Sequence, residues 1–224
     1  MFGKKNNLIT DGLGDLNSKV ELTLLNPKAT SKDVYNFCNI AYKNRYFGVV
    51  VFPRFVKLAS SYIKSKLDGA VQVIACVDFP FGESQSSAKI ASAKKCFSDG
   101  ADEVDFCVSS GLILEEDYRA IRTEISRVVR SSHKKVVKAV IETSFLDREQ
   151  IARITKVLVK CKVDYIMTNS GFGQGGVTPE IVEIIASSTK NKCGIKASGG
   201  VSNKVIANNL VRMGATRIGT SRVL

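Results

Sequence analysis

The sequence predicts an α/β fold, a (β/α)8 TIM barrel whose last helix is short or absent. Three observations carry this. Short β-branched apolar runs alternate eight times with segments of helical period along 224 residues, the pattern of a parallel sheet wrapped by helices. The glycine-rich turns come late, after the sixth, seventh and eighth runs, where barrels commonly build phosphate sites. Ionisable side chains (Asp105, Lys138, Lys196) interrupt otherwise apolar runs. An open doubly wound sheet explains the count less well and calls for a glycine-rich turn after the first strand.

The first strand is read over Val20–Leu25, ending at Asn26-Pro27. The second is Gly48–Phe52, stopped by Pro53, and the third Val71–Val77, stopped at Phe79-Pro80-Phe81-Gly82. Glu103–Val108, Val136–Ile141, Asp164–Met167, Gly194–Lys196 and Thr216–Gly219 complete the set. They are of the kind buried on both faces. Thr30 opens the first helix as an N-cap with Asp33 three residues on, and Val34, Phe37, Cys38 and Ala41 form its apolar stripe. Further helices are read over Ser84–Ser98, Glu115–Arg130, Asp147–Lys160, Pro179–Ser188 and Asn203–Met213. Pro179 suits a first helical position, and Asp99-Gly100 and Met213-Gly214 are helix stops. Only five residues follow Gly219, so either one flank of the barrel is open or a partner, such as a second copy in a homodimer, covers it.

Composition narrows the class. At 44% hydrophobic and 24% charged residues, the chain suits a single barrel domain over residues 1–224, with 1–18 as an N-terminal extension. No apolar stretch approaches the roughly 18 residues of a membrane span, and Met1–Asn7 lacks the apolar core of a signal peptide. The six cysteines are scattered without a Cys-x-x-Cys pair, as expected of small buried hydrophobes in a reducing cytoplasm. One histidine, His133 in a basic turn, gives no basis for a metal site. The net charge of +12 is spread along the chain without aromatic interleaving or a nucleic-acid motif, so no specific nucleic-acid partner is expected. A basic barrel mouth would attract an anionic sugar phosphate.

The candidate chemistry sits at the C-terminal ends of strands. Asp105 lies inside Val104-Asp105-Phe106-Cys107, and a carboxylate there is paired or functional because burying it bare is costly. Lys138 and Lys196 are embedded in the fifth and seventh strands. Lysines are rare inside proteins, and two of them with an interior aspartate predict one shared polar cluster. That cluster serves either amine and proton chemistry or a purely structural ion-pair network. Gly171, Gly199, Gly200 and Ser221 lie in turns able to offer backbone N–H groups to a phosphate, with Arg222 adding positive charge. Met167 is the misfit, because the strand and turn around it, Asp164-Tyr165-Ile166-Met167-Thr168-Asn169-Ser170-Gly171, call for a reactive side chain and a thioether is not one.

Several segments together resemble one family. They are Leu22–Asn26, Gly100–Asp105, Lys138–Thr143, Thr168–Gly176, Gly194–Gly200 and Arg217–Ser221. The chain is similar over roughly Val20–Ser221 to the 2-deoxyribose-5-phosphate aldolases, which are class I aldolases. The resemblance implies a (β/α)8 barrel without metal or organic cofactor. It also implies reversible cleavage of 2-deoxyribose 5-phosphate to glyceraldehyde 3-phosphate and acetaldehyde. By the family pattern Asp105 shuttles protons, Lys196 is the lysine that holds down the pKa of the Schiff-base lysine, and Lys138 is the strand-five lysine. The Schiff-base lysine falls on Met167, where the usual Lys-Thr-Ser-Thr-Gly reads Met167-Thr168-Asn169-Ser170-Gly171. Glu21 stands where many members have aspartate, Ser109 where many have asparagine, and Arg222 where serine is usual.

Covalent amine catalysis needs a nucleophilic nitrogen, and methionine, unbranched and of similar length, fills a lysine's space without supplying one. The expectation is a folded pocket for a small phosphosugar with aldolase activity severely impaired or absent. The alternatives are residual catalysis through Lys196 or Lys138, a non-catalytic phosphosugar-binding scaffold, and a polyanion binder driven by charge.

Overall fold

The computed structural model describes residues 15–224; most of the expected N-terminal extension, with Met1–Asn7, lies outside them. The strands are β1 Val20–Leu24, β2 Gly48–Val51, β3 Gln72–Val77, β4 Glu103–Cys107, β5 Val136–Val140, β6 Tyr165–Met167, β7 Gly194–Ser198 and β8 Arg217–Thr220. They form a closed barrel in sequence order. The ring is completed by parallel pairing of β8 with β1, Ile218 opposite Val20 and Thr220 opposite Leu22. Closure rules out the open sheet. Each sequence-predicted strand is found within two residues of its observed ends.

The helices are α1 Ser31–Lys43, α2 Val56–Lys66, α3 Ser86–Ser98, α4 Ser110–Leu114, α5 Tyr118–Ser131, α6 Arg148–Lys160, α7 Pro179–Thr189 and α8 Lys204–Arg212. Thr30 caps α1 as expected, its N–H donating to the Asp33 carboxylate at 2.7 Å. Asp147 caps α6 with both halves of a capping box, its N–H donating to the Gln150 side chain at 3.0 Å and its carboxylate accepting from Gln150 N–H at 2.8 Å. Two features differ from the sequence reading. First, α2 was not anticipated. It starts without a side-chain cap, from a 3-10 turn over Pro53–Phe55, so the usual start signal is missing although Val56, Ala59, Ser60 and Ile63 form a buried helical stripe. Second, the helix read over Glu115–Arg130 starts only at Tyr118, as α5, and a short helix that was not anticipated, α4, precedes it. Glu116 takes a left-handed conformation (φ 56) and ends α4, and Asp117 starts α5 by accepting from Ala120 N–H at 3.0 Å.

No helix follows β8 among the described residues. The final residue partly fills that flank, with Leu224 packed against the core. Its N–H donates to the buried Tyr46 hydroxyl at 2.9 Å, and that hydroxyl donates back to the Leu224 carbonyl at 3.1 Å.

The two-residue period of each strand sorts side chains between two cores. On β4, Val104 and Phe106 face the helices and join the large outer core, whereas Glu103 and Asp105 enter the barrel, where they meet lysine. On β5 and β7 the same rule sends Val137, Ala139, Ile195 and Ala197 outward and Lys138 and Lys196 inward. Inside the barrel, two small apolar clusters sit near the mouth. One is Leu25, Val50, Ile74 and Cys76, the other Cys107, Val140 and Met167, and Phe79 packs against both.

Candidate active site

Below that apolar layer, six charged side chains fill the barrel. The Lys138 ammonium lies 3.0 Å from Glu21 Oε1, 2.6 Å from Glu103 Oε2 and 3.1 Å from Asp105 Oδ1. The Lys196 ammonium bridges Glu21 Oε2 and Asp105 Oδ2. Arg217 Nε lies 3.6 Å from Glu21 Oε1, and its guanidinium stacks 3.7 Å from the Phe47 ring centroid. Glu21, Asp105, Lys138 and Lys196 are each 0% exposed. Three carboxylates thus face three cations, and the balance is what makes burial tolerable.

The environments push these groups in different directions. Burial alone would raise the Glu21 carboxyl, but the Lys138 and Lys196 ammonium groups outweigh it and hold the pKa at about 2, against an ordinary 4.5. Burial would lower Lys138, yet Asp105, Glu21 and Glu103 together hold it above the usual lysine range. For Glu103, burial wins over Lys138 and the carboxyl is raised. The depressed Glu21 carboxyl contributes stability that is present above the unfolded value of 4.5 and lost as pH falls toward about 2. Glu103, with the opposite shift, offsets part of it. Acid unfolding followed by circular dichroism should therefore show stability falling across that window. Glu21 accounts for on the order of 3 kcal/mol, and Glu21→Gln should flatten the dependence.

A cavity of about 720 Å³ opens above the cluster at the C-terminal ends of the strands. Asp105 and Met167 lie at its inner end; Gly171, Gly199, Gly200, Ser221 and Arg222 line the loops around it. Six of the eight sequence-predicted site residues thus reach one cavity. The other two, Lys138 and Lys196, do not line it, because their ammonium groups are drawn into the ion cluster. Met167 pairs across the strands with Val140 and Lys196. Its side chain is 4% exposed and packs with Cys107, Val140 and Phe79 rather than with charge.

The loops are held from behind. Gly199 and Gly200 adopt φ values of +92 and +78, and a Cβ at Gly199 would come within 3.0 Å of Asn169 Cβ, so only glycine fits there without strain. Glu142, itself left-handed at φ 45, accepts hydrogen bonds from Ser170 N–H at 2.8 Å and Ser170 O–H at 2.5 Å through Oε2, and from Ser144 O–H at 2.8 Å through Oε1. That carboxylate fixes the loop after β6. Sequence reasoning did not single out Glu142 or Glu103, and noted Glu21 only as a departure. A carboxylate immediately after an apolar strand, as in Val140-Ile141-Glu142, is the signal that could have found the first. All six cysteines are free thiols. Burial raises Cys76 and Cys107 well above the ordinary thiol range, which suits inert packing.

A closed parallel barrel with a buried lysine pair beneath a glycine-lined mouth defines a (β/α)8 barrel protein with its candidate active site at the C-terminal face. The comparisons with known proteins agree. The DeoC/LacD family aldolase profile matches residues 18–220, and the chain belongs to that family. A deoxyribose-phosphate aldolase of Thermococcus kodakarensis is 33% identical over 204 residues, covering 90% of this chain and 91% of that one. One from Treponema denticola is 34% identical over 210 residues, covering 92% and 95%. Among solved structures, the aldolase QR15 superposes with a TM-score of 0.88 at 31% identity, covering 92% of this chain and 91% of that one. The tetrameric deoxyribose phosphate aldolase of Aeropyrum pernix gives 0.84 at 28%, covering 92% and 86%.

Proposed function

We propose that this protein holds 2-deoxyribose 5-phosphate or a close phosphosugar in its barrel mouth but cleaves it to glyceraldehyde 3-phosphate and acetaldehyde very poorly or not at all. The observation that carries the reading is Met167 at the inner end of the cavity, apolar and packed, with both nearby lysines tied into ion pairs. A class I mechanism needs a free amine next to the substrate carbonyl. Lys138 is held protonated by three carboxylates, and Lys196 is shared between two, so neither takes the place of the missing nucleophile. Gly171, Gly199, Gly200 and Ser221 would hold the phosphate through backbone and hydroxyl groups, with Arg222 adding charge. Asp105 keeps the position of a proton shuttle without a partner to serve. The free cysteines suit a reducing cytoplasm, and a homodimer is the simplest assembly. Among the described residues, no helix is long and apolar enough to cross a membrane.

The test is thermal unfolding with and without deoxyribose 5-phosphate, run beside a product assay and borohydride trapping. At ligand a hundredfold above Kd the melting temperature should rise by about 5 °C or more, with no glyceraldehyde 3-phosphate released and no adduct on lysine. An adduct on Lys196 or Lys138 with turnover would favour residual catalysis instead. No shift with any phosphosugar would leave a non-binding scaffold.

A further inference from the structure

We infer that the pocket has changed the kind of molecule it prefers. It selects phosphate monoesters whose far end is apolar, such as a short alkyl phosphate, over hydroxylated, carbonyl-bearing sugar phosphates. The inference rests on the phosphate-end reading above and concerns the other end of the same cavity.

Two observations support it. Beside Asp105, the inner end is apolar: Met167, Leu25, Val50 and Phe79 line it, backed by Cys107, Val140, Ile74 and Cys76 in the clusters they belong to. Phe79 is held there by its loop, in which Gly82 N–H donates to Asp78 carbonyl at 3.0 Å and the buried Lys89 ammonium donates to Gly82 carbonyl at 2.9 Å.

The second observation is that four of the hydroxyls lining the cavity already donate within the protein. Thr23 donates to Glu21 carbonyl at 3.2 Å, Ser198 to Asn169 carbonyl at 2.6 Å, Thr220 to Val201 carbonyl at 2.7 Å and Ser170 to the Glu142 carboxylate at 2.5 Å. Asp105 is ion-paired through both oxygens, Oδ1 with Lys138 and Oδ2 with Lys196, and only Oδ2 also accepts a hydrogen bond. A carbonyl or hydroxyl brought against Met167 therefore loses its water without gaining a donor, which costs affinity. A methyl or methylene brought there is buried against thioether and ring carbon, which gains it.

The probe pair is n-pentyl phosphate and 2-deoxyribose 5-phosphate, five carbons each, titrated into the full chain by calorimetry with inorganic phosphate as reference. Pentyl phosphate is expected to bind at least about tenfold more tightly than the sugar phosphate, with the more negative heat-capacity change of apolar burial. Met167→Gln, similar in length but polar, should cut the pentyl phosphate affinity several-fold and leave inorganic phosphate unchanged. Equal or tighter binding of the sugar phosphate would overturn the inference while leaving the phosphosugar reading intact. An unchanged preference in Met167→Gln would also overturn it. Failure of both monoesters to bind would remove the phosphate-site reading and this inference with it.

Discussion

Met167→Lys is expected to raise cleavage of 2-deoxyribose 5-phosphate by at least about a thousandfold over the unmodified chain, in line with the cost of losing a covalent nucleophile elsewhere. The new side chain would occupy a slot already shaped for an unbranched chain of that length, walled by Cys107, Val140 and Phe79. Those apolar walls and the cationic Lys196, paired across the strands, both disfavour the ammonium form, so the introduced amine should carry a depressed pKa and a useful neutral fraction near pH 7. Asp105 already lines the same cavity. The measurement is borohydride trapping located by mass spectrometry, beside a steady-state cleavage assay. An adduct on residue 167 without turnover would mean that proton transfer through Asp105 has also decayed. No adduct at all would mean that the pocket does not hold the sugar phosphate in reach of position 167.

Lys138→Met is expected to cost about 3–5 kcal/mol of stability at neutral pH, the range for removing one member of a buried ion pair. For a chain of this length that lowers the melting temperature by about 10 °C. The reason is local. Lys138 is the one cation within 3.1 Å of all three carboxylates, Glu21, Glu103 and Asp105, and methionine fills its volume while supplying no charge. The sign of the pH dependence should also reverse. Buried carboxylates left short of a cation have folded-state pKa values raised above the unfolded ones, so the variant gains stability as pH falls from 7 toward 5. Urea unfolding at several pH values measures both effects. A loss below about 1 kcal/mol would show that Arg217 and Lys196 suffice to balance the cluster.

Much of the barrel was legible in the chain itself, because local rules carry it. Short β-branched runs mark the strands, and the two-residue period along each decides which side chains share its inward face, so Asp105, Lys138, Lys196 and Met167 could be placed from the sequence. Helix starts were legible where a cap announces them, as at Thr30 and Asp147, and not at α2, which has none. The late start of α5 was missed because a left-handed glutamate, Glu116, leaves no composition signal of the kind glycine does.

The sequence by itself determined the order of elements, the inward-facing set and the absence of an amine at position 167. Only the tertiary structure decided what those inward side chains do to one another. Closing β8 onto β1 brings Glu21 to Lys196 across 175 positions of chain, and β1 to β5 contact through the barrel centre brings Glu21 to Lys138 across 117. No local pattern encodes such distances, because they follow from the curvature that closes eight strands into a ring. The same closure withdraws both lysines from the cavity and leaves Met167 among apolar neighbours at its inner end.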